Sequence, residues 1–365
     1  MGFSCGIVGL PNVGKSTLFN ALTATAQAEA ANYPFTTIEP NVGRVAVPDE
    51  RLKRISELAR TPRAVPTYLE FVDIAGLVRG ASRGEGLGNQ FLAHIREVDA
   101  ICHVLRCFEG GEAAHVEGTI DPVRDAETVE TELLLADLES MERRAEAVTR
   151  KARGGDREAR ESLVLMEPIL EALREGRPAR RAEVPTELAG GLSRLHLLTE
   201  KPVLYVCNVD EASAAPGNEH VAAVRRAAGE RAATVVVSAA LEAEVAELDD
   251  PDERMAYLAE FGLAETGLSR VIHAGYRMLD LVTFFSAGPK ETRAWTIPRG
   301  TPALEAAGVI HSDFQRGFIR AETISYEDYV ACAGEQGARD AGRMRQEGRD
   351  YVVQDGDIIL FRFNV

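Results

Sequence analysis

Two glycines bracket the first stretch able to do chemistry, Gly9-Leu10-Pro11-Asn12-Val13-Gly14-Lys15-Ser16. Gly-x-x-x-x-Gly-Lys-Ser is the spacing of a phosphate-binding loop, in which backbone N–H groups and a helix N-terminus point at phosphate oxygens. Asn12, Val13, Gly14 and Thr17 belong to that cradle. Lys15 would set a charge against the β- and γ-phosphates, and Ser16 would bind Mg²⁺. The motif needs a strand before it and a helix after it. Cys5–Val8 reads as a buried strand and residues 16–26 as a helix, which is that context.

A phosphate loop needs further groups for the metal and for the attacking water. Asn32-Tyr33-Pro34-Phe35-Thr36-Thr37 is a Pro-punctuated loop offering Thr36 or Thr37 as a hydroxyl ligand for the metal. Tyr68–Asp73 reads as an apolar strand running into Asp73-Ile74-Ala75-Gly76. A carboxylate at that strand end suits the outer coordination sphere of Mg²⁺, and Gly76 lets a backbone N–H meet the γ-phosphate. Gly80, Gly84, Gly86 and Gly88 make residues 78–89 a switch segment. Leu77 follows Gly76, where many nucleotidases carry a water-orienting glutamine, so another group has to do that work. His115, on a glycine-containing loop past the predicted strand 100–108, is one candidate, although on that segment alone a plain surface histidine is the simpler reading. Asn12 is a second, as the ligand of a bound monovalent cation.

Base choice falls to a later strand end. Pro202–Cys207 leads into Asn208-Val209-Asp210-Glu211. Guanine readers carry Asn-Lys-x-Asp, whose last carboxylate accepts from guanine N1–H and its 2-amino group. Here Val209 and the longer Glu211 occupy those positions. Adenine presents an acceptor at N1 and a donor at N6, which backbone N–H and C=O around Val209 could meet. A strand at 233–237 then reaches Ser238-Ala239, where a loop packs on the base.

These motifs need elements to position them, and 365 residues with 45% hydrophobic content suffice for two to three domains. The chain reads as α/β: a P-loop domain at 1–124 and 202–280, with a mostly parallel sheet flanked by helices. An inserted antiparallel helical hairpin occupies 125–201, and a small β-rich domain 281–365. In the insertion, Leu134, Leu138, Met141, Ala145 and Val148 face Leu163, Met166, Leu170 and Leu173 at heptad-like spacing, with a turn at Gly154-Gly155-Asp156. Pro168 should kink or restart the second helix. No apolar run approaches a membrane span, and the first residues lack the pattern of a signal peptide. The expected location is therefore the cytoplasm, and a monomer is the expected state; most of the five cysteines, which lack paired spacing, read as reduced, buried side chains. A net charge of −16 argues against DNA binding through the whole surface. From Leu281 onward ten Lys/Arg stand against twelve Asp/Glu, only −2, so that end is the one suited to approach RNA.

Taken together the motifs resemble the YchF/Obg-like ATPase family, a branch of the Obg-related P-loop class. Residues 9–16, 32–40, 73–89 and 208–211 carry the likeness, and Arg293–Ile297 and Gly317–Ala321 resemble its C-terminal TGS domain, a β-grasp module. The resemblance implies ATP in preference to GTP or GDP, with Asn208, Val209 and Glu211 at the base. It also implies Ser16 and Thr37 as Mg²⁺ ligands, Leu77 as the hydrophobic substitute for glutamine, and His115 beside Lys15 as the catalytic pair. Association with ribosomes, especially the large subunit, and a part in translation and stress regulation follow from the likeness alone. The rival readings are a GTPase with a degenerate base motif and a nucleotide-gated ribosome-binding module whose hydrolysis is incidental.

Overall fold

The computed structural model describes residues 3–30, 41–74, 87–110, 119–229, 232–248 and 250–364. Its strands are β1 (Phe3–Val8), β2 (Val42–Ala46), β3 (Ala64–Val65), β4 (Tyr68–Asp73), β5 (Ala100–Arg106), β6 (Val203–Asn208), β7 (Ala233–Val237), β8 (Leu281–Ala287), β9 (Thr292–Pro298), β10 (Phe318–Ile324), β11 (Arg345–Glu347) and β12 (Ile358–Phe363). One sheet runs β2-β4-β1-β5-β6-β7 and the other β11-β10-β12-β8-β9-β3. The chain divides into two compact units, one of Ser4–Gly43 with Phe71–Gly275 and the other of Met1–Phe3, Arg44–Glu70 and Tyr276–Val365.

In the larger unit β1, β5, β6 and β7 pair in parallel. Every residue of β5 is buried, as a central parallel strand covered on both faces requires. Its sequence, Ala-Ile-Cys-His-Val-Leu-Arg, is accordingly almost wholly apolar. The helical insertion is an antiparallel pair, Pro122–Arg153 and Arg157–Arg174. Asp121 caps the first helix by accepting from the Arg124 N–H, and Asp156 caps the second by accepting from the Ala159 N–H. Leu134, Met141, Met166, Leu170 and Leu173 form its seam together with Ile169, while Leu163 is half-buried outside that cluster. Helix Arg157–Arg174 is continuous through Pro168, which is neither an end nor a restart. The buried seam on both sides of the proline offsets the one hydrogen bond it removes. The chain's return from the insertion is anchored by the buried Asp137, which accepts from Leu198 N–H (2.9 Å), Thr199 N–H (2.8 Å) and Thr199 Oγ1 (2.7 Å).

The smaller unit differs from the expected 281–365 domain, because residues 44–70 cluster with it, although β2 and β4 at the two ends of that segment pair in the first sheet. The second sheet is apolar on both faces. One face, with Val282, Phe284, Ile297, Ala321 and Phe361, packs against Ala303, Ala306 and Ala307 of helix Ala303–Ile310. The opposite face, with Phe285, Ala294, Ile324 and Ile358, needs its own cover, and Leu52 and Ile55 of helix Glu50–Ala59 supply part of it. β3 extends the same sheet beside β9. Arg51 bridges Asp49 and Asp355, and Asp355 accepts from Thr283 N–H at 2.9 Å. A hydroxyl chain joins Thr67, Thr296, Tyr276 and Thr283. Pro302 and Val352 form an isolated antiparallel bridge outside these strands.

One buried group carries a pH signature. His103 of β5 is 4% exposed, lies beside Tyr205 with ring centroids 5.9 Å apart, and has no hydrogen-bond partner at Nε2 among the described residues. Burial first, and the nearby Lys15 ammonium second, lower its pKa to about 3. The folded protein therefore holds it neutral where the unfolded chain protonates it, and stability is lost as pH falls below the unfolded value. His103→Leu removes this term. The variant should gain on the wild type by about 2 kcal/mol between pH 7 and pH 5, read as the change in the difference of their urea unfolding free energies.

Candidate functional site

Nucleotide sites of parallel α/β sheets lie at the carboxyl ends of the strands. The ends of β1, β5 and β6 converge there with residues 9–16 of the loop and Asn208. The loop leaving β1 turns through Gly9 at φ 156°, where a Cβ would stand 2.4 Å from the Val104 carbonyl oxygen. Asn12 is left-handed at φ 63°. Gly14 has φ 93°, and a Cβ there would meet Asn208 Nδ2 at 2.2 Å. Both glycines are thus dictated by the close approach of neighbouring strands. The helix following the loop is Lys15–Ala30, its first turn closed by Leu18 N–H donating to the Gly14 carbonyl. Val13 is buried, whereas Asn12, Ser16 and Thr17 are exposed at the mouth of the loop.

Lys15 Nζ donates to the Leu10 carbonyl at 2.8 Å. Burial lowers its pKa and the Asp73 carboxylate opposes that shift. Asp73 is its counterpart at the end of β4, raised by burial and lowered by Lys15. The ammonium and the carboxylate therefore share one partly desolvated space, and an incoming phosphate with a divalent cation can satisfy both.

Asn208 organises the site. Its Nδ2 donates to the Val13 carbonyl at 2.9 Å and its Oδ1 accepts from Ala239 N–H at 2.9 Å, so one buried amide holds the phosphate loop to helix Ala239–Glu247. Ser238 is buried and caps that helix, its Oγ accepting from Leu241 N–H. Glu242, also buried, accepts from Gly267 N–H (2.6 Å) and Leu268 N–H (3.3 Å), tying the same helix to Gly267–Met278. Val209 differs from expectation. Its N–H donates to the Val237 carbonyl at 2.8 Å, continuing the β6–β7 ladder, so that N–H is not offered to a base. Its side chain is 3% exposed among Leu105, Cys107, Cys207 and Val236. Glu211 is exposed in a short turn of helix that Asp210 caps.

Thr36, Thr37, Gly76, Leu77, His115 and most of the switch at 78–89 lie outside the described residues. Leu87–Asn89, the end of that switch segment, open helix Leu87–Glu97. The sequence reading missed Arg106. It ends β5 at 4% exposure, stacks over Phe108 with Cζ 4.5 Å from the ring centroid, and donates to the carbonyls of Asn12 (3.4 Å), Phe108 (3.5 Å) and Gly110. The available signal was a cation closing an otherwise apolar buried strand. Asn208→Ala leaves the Val13 carbonyl and the Ala239 N–H without their buried partner. It should destabilise the protein by about 2 kcal/mol in urea unfolding and weaken nucleotide binding in calorimetric titration.

A family model described as 50S ribosome-binding GTPase matches residues 4–145. A second, YchF-GTPase_C, described as a protein of unknown function, matches residues 281–364. The chain is 54% identical to the ribosome-binding ATPase YchF of Bacillus subtilis over 368 residues, covering 100% of both chains. It is also 54% identical to the protein of that name from Escherichia coli O157:H7, again with 100% of both covered. Among solved structures, the Schizosaccharomyces pombe YchF GTPase superposes with a TM-score of 0.89 at 36% identity, covering 99% of this chain and 98% of that one. A GTP-binding protein from Pyrococcus horikoshii OT3 shares the fold at a TM-score of 0.62 and 20% identity, covering 99% of this chain and 100% of its own. A phosphate loop locked to helix Ala239–Glu247 through Asn208, with full-length identity of this order, makes the chain a member of the YchF family of P-loop nucleotide hydrolases.

Proposed function

We propose that this chain is a cytoplasmic, Mg²⁺-dependent ATPase that associates with the ribosome, as the names of its Bacillus and Escherichia relatives state for those proteins. The observation that carries the base preference is Val209. It stands where guanine readers have lysine, and its side chain is sealed in an apolar cluster. The position that would hold the guanine-reading carboxylate is the exposed, longer Glu211. With the Val209 N–H used by Val237, the donor toward adenine N1 falls to a neighbouring peptide.

The oxygen groups present fit a magnesium ion. Ser16 exposes its hydroxyl in the first helical turn, and Asp73 brings a carboxylate within electrostatic reach of Lys15. Ser16 and Thr37 would hold the ion directly and Asp73 through water. When bound, it supplies charge neutralisation at the β- and γ-phosphate oxygens. Lys15 exchanges the Leu10 carbonyl for phosphate oxygens, and the loop N–H groups, with Gly76, take up the charge that develops on them. Leu77 has no group to orient water, so His115 takes that role. Asn12 exposes its side chain at the loop's mouth, where a monovalent cation would supplement these charges.

Calorimetric titration should show ADP bound at least about tenfold more tightly than GDP, and tighter GDP binding would make the chain a GTPase with an altered base motif. His115→Ala should lower ATP turnover by about 100-fold in a phosphate-release assay and leave ADP affinity unchanged. Ribosome co-sedimentation of that variant separates the enzyme from a nucleotide-gated binding module, in which hydrolysis could be lost without loss of cellular function.

A further inference from the structure

In a trans peptide the C=O and the N–H point in opposite directions, so fixing one aims the other. The Val13 carbonyl is fixed by Asn208 Nδ2 on one side of the phosphate loop, which turns the Gly14 N–H the opposite way. The preceding peptide is treated alike. The Asn12 carbonyl accepts from Arg106 Nη1, which turns the Val13 N–H away from the strands. Arg106 and Asn208 are register partners at the ends of β5 and β6, so two adjacent strand ends grip two successive carbonyls of one loop. Asn12 itself is left-handed, at φ 63°.

The guanidinium is itself held. Phe108 stacks on its face, and the carbonyls of Phe108 and Gly110 take its other donors. A planar fork gripped on three carbonyls has little rotational freedom, unlike a lysine ammonium on a flexible stem.

We infer that Arg106 is a positioning residue for nucleotide binding: it pins the Asn12 carbonyl so that the Val13 N–H is presented to a bound phosphate. The inference rests on the phosphate loop binding a nucleotide and assigns the group that sets one of its donors.

The test uses the full chain labelled with ¹⁵N-valine, ADP with Mg²⁺ as the probe, and the variants Arg106→Met and Arg106→Lys. Wild-type protein should show a large ADP-induced shift of the Val13 amide resonance. In Arg106→Met that shift should collapse and ADP affinity fall about tenfold, the loss expected for one hydrogen bond to a charged acceptor. Arg106→Lys, which keeps charge but not the fork, should fall between the two. Should Arg106→Met not fold, the lysine variant carries the same two readouts. A Val13 shift that survives in the variant, even with weakened binding, overturns the inference, since general loosening of the fold would not preserve that donor. Affinity within twofold of wild type overturns it as well. Failure of the wild type to bind ADP would instead bring down the nucleotide reading, and this inference with it.

Discussion

A single buried side-chain amide holds this molecule's chemistry together. Asn208 donates to the phosphate loop and accepts from the first N–H of helix Ala239–Glu247, so loop and helix share one joint. Burial makes that joint stringent. An amide at 4% exposure with an unmet donor or acceptor is costly, so loop and helix are held in the one arrangement that satisfies both ends. Gly14 is a consequence, because no Cβ fits beside the Asn208 nitrogen. The Ser238 cap and the Glu242 carboxylate extend the same constraint outward into the next two helices.

The charges are arranged around this joint rather than paired off within it. Lys15 rests on the carbonyl of Leu10 and feels Asp73, and burial disfavours the charged form of each. Such a pair is poised for a ligand that brings both negative oxygens and a cation. Arg106 sits deeper, sandwiched between an aromatic ring and carbonyls, and acts on the backbone. The difference follows from chemistry: a guanidinium keeps its charge when buried and fans its donors in a plane, while an ammonium is a point charge suited to an exchanging partner.

Residues 44–70 lie between the Thr37 loop and Asp73 in the chain, yet their apolar side chains complete the core of the C-terminal unit. That unit has a sheet with two apolar faces, the first of them covered by helix Ala303–Ile310 and by Phe314 of helix Ser312–Arg316. Helices Tyr326–Ala331 and Glu335–Asp340 cover part of the second, and Leu52 and Ile55 fill the remainder.

Much of this was legible in the sequence, for local reasons. The strand-loop-helix of residues 3–30 follows from the glycine spacing, and the hairpin of residues 122–174 from its heptads. The Asn-Val-Asp-Glu stretch announced itself by position after an apolar strand. Each is a pattern carried by neighbours in the chain, where backbone periodicity and side-chain type suffice. What tertiary structure decided is whatever depends on residues far apart. That Pro168 is absorbed in a continuous helix depends on the facing helix. That the Val209 N–H is spent on β7 depends on strand pairing. Residues 44–70 join the C-terminal unit because a sheet face some 230 residues downstream needs covering, and Arg106 meets Asn12 only because β1 and β5 are adjacent. The sequence by itself determined which groups can hold a phosphate; packing between distant strands determined which way the backbone of that loop faces, because a carbonyl's direction is set by the donor that reaches it.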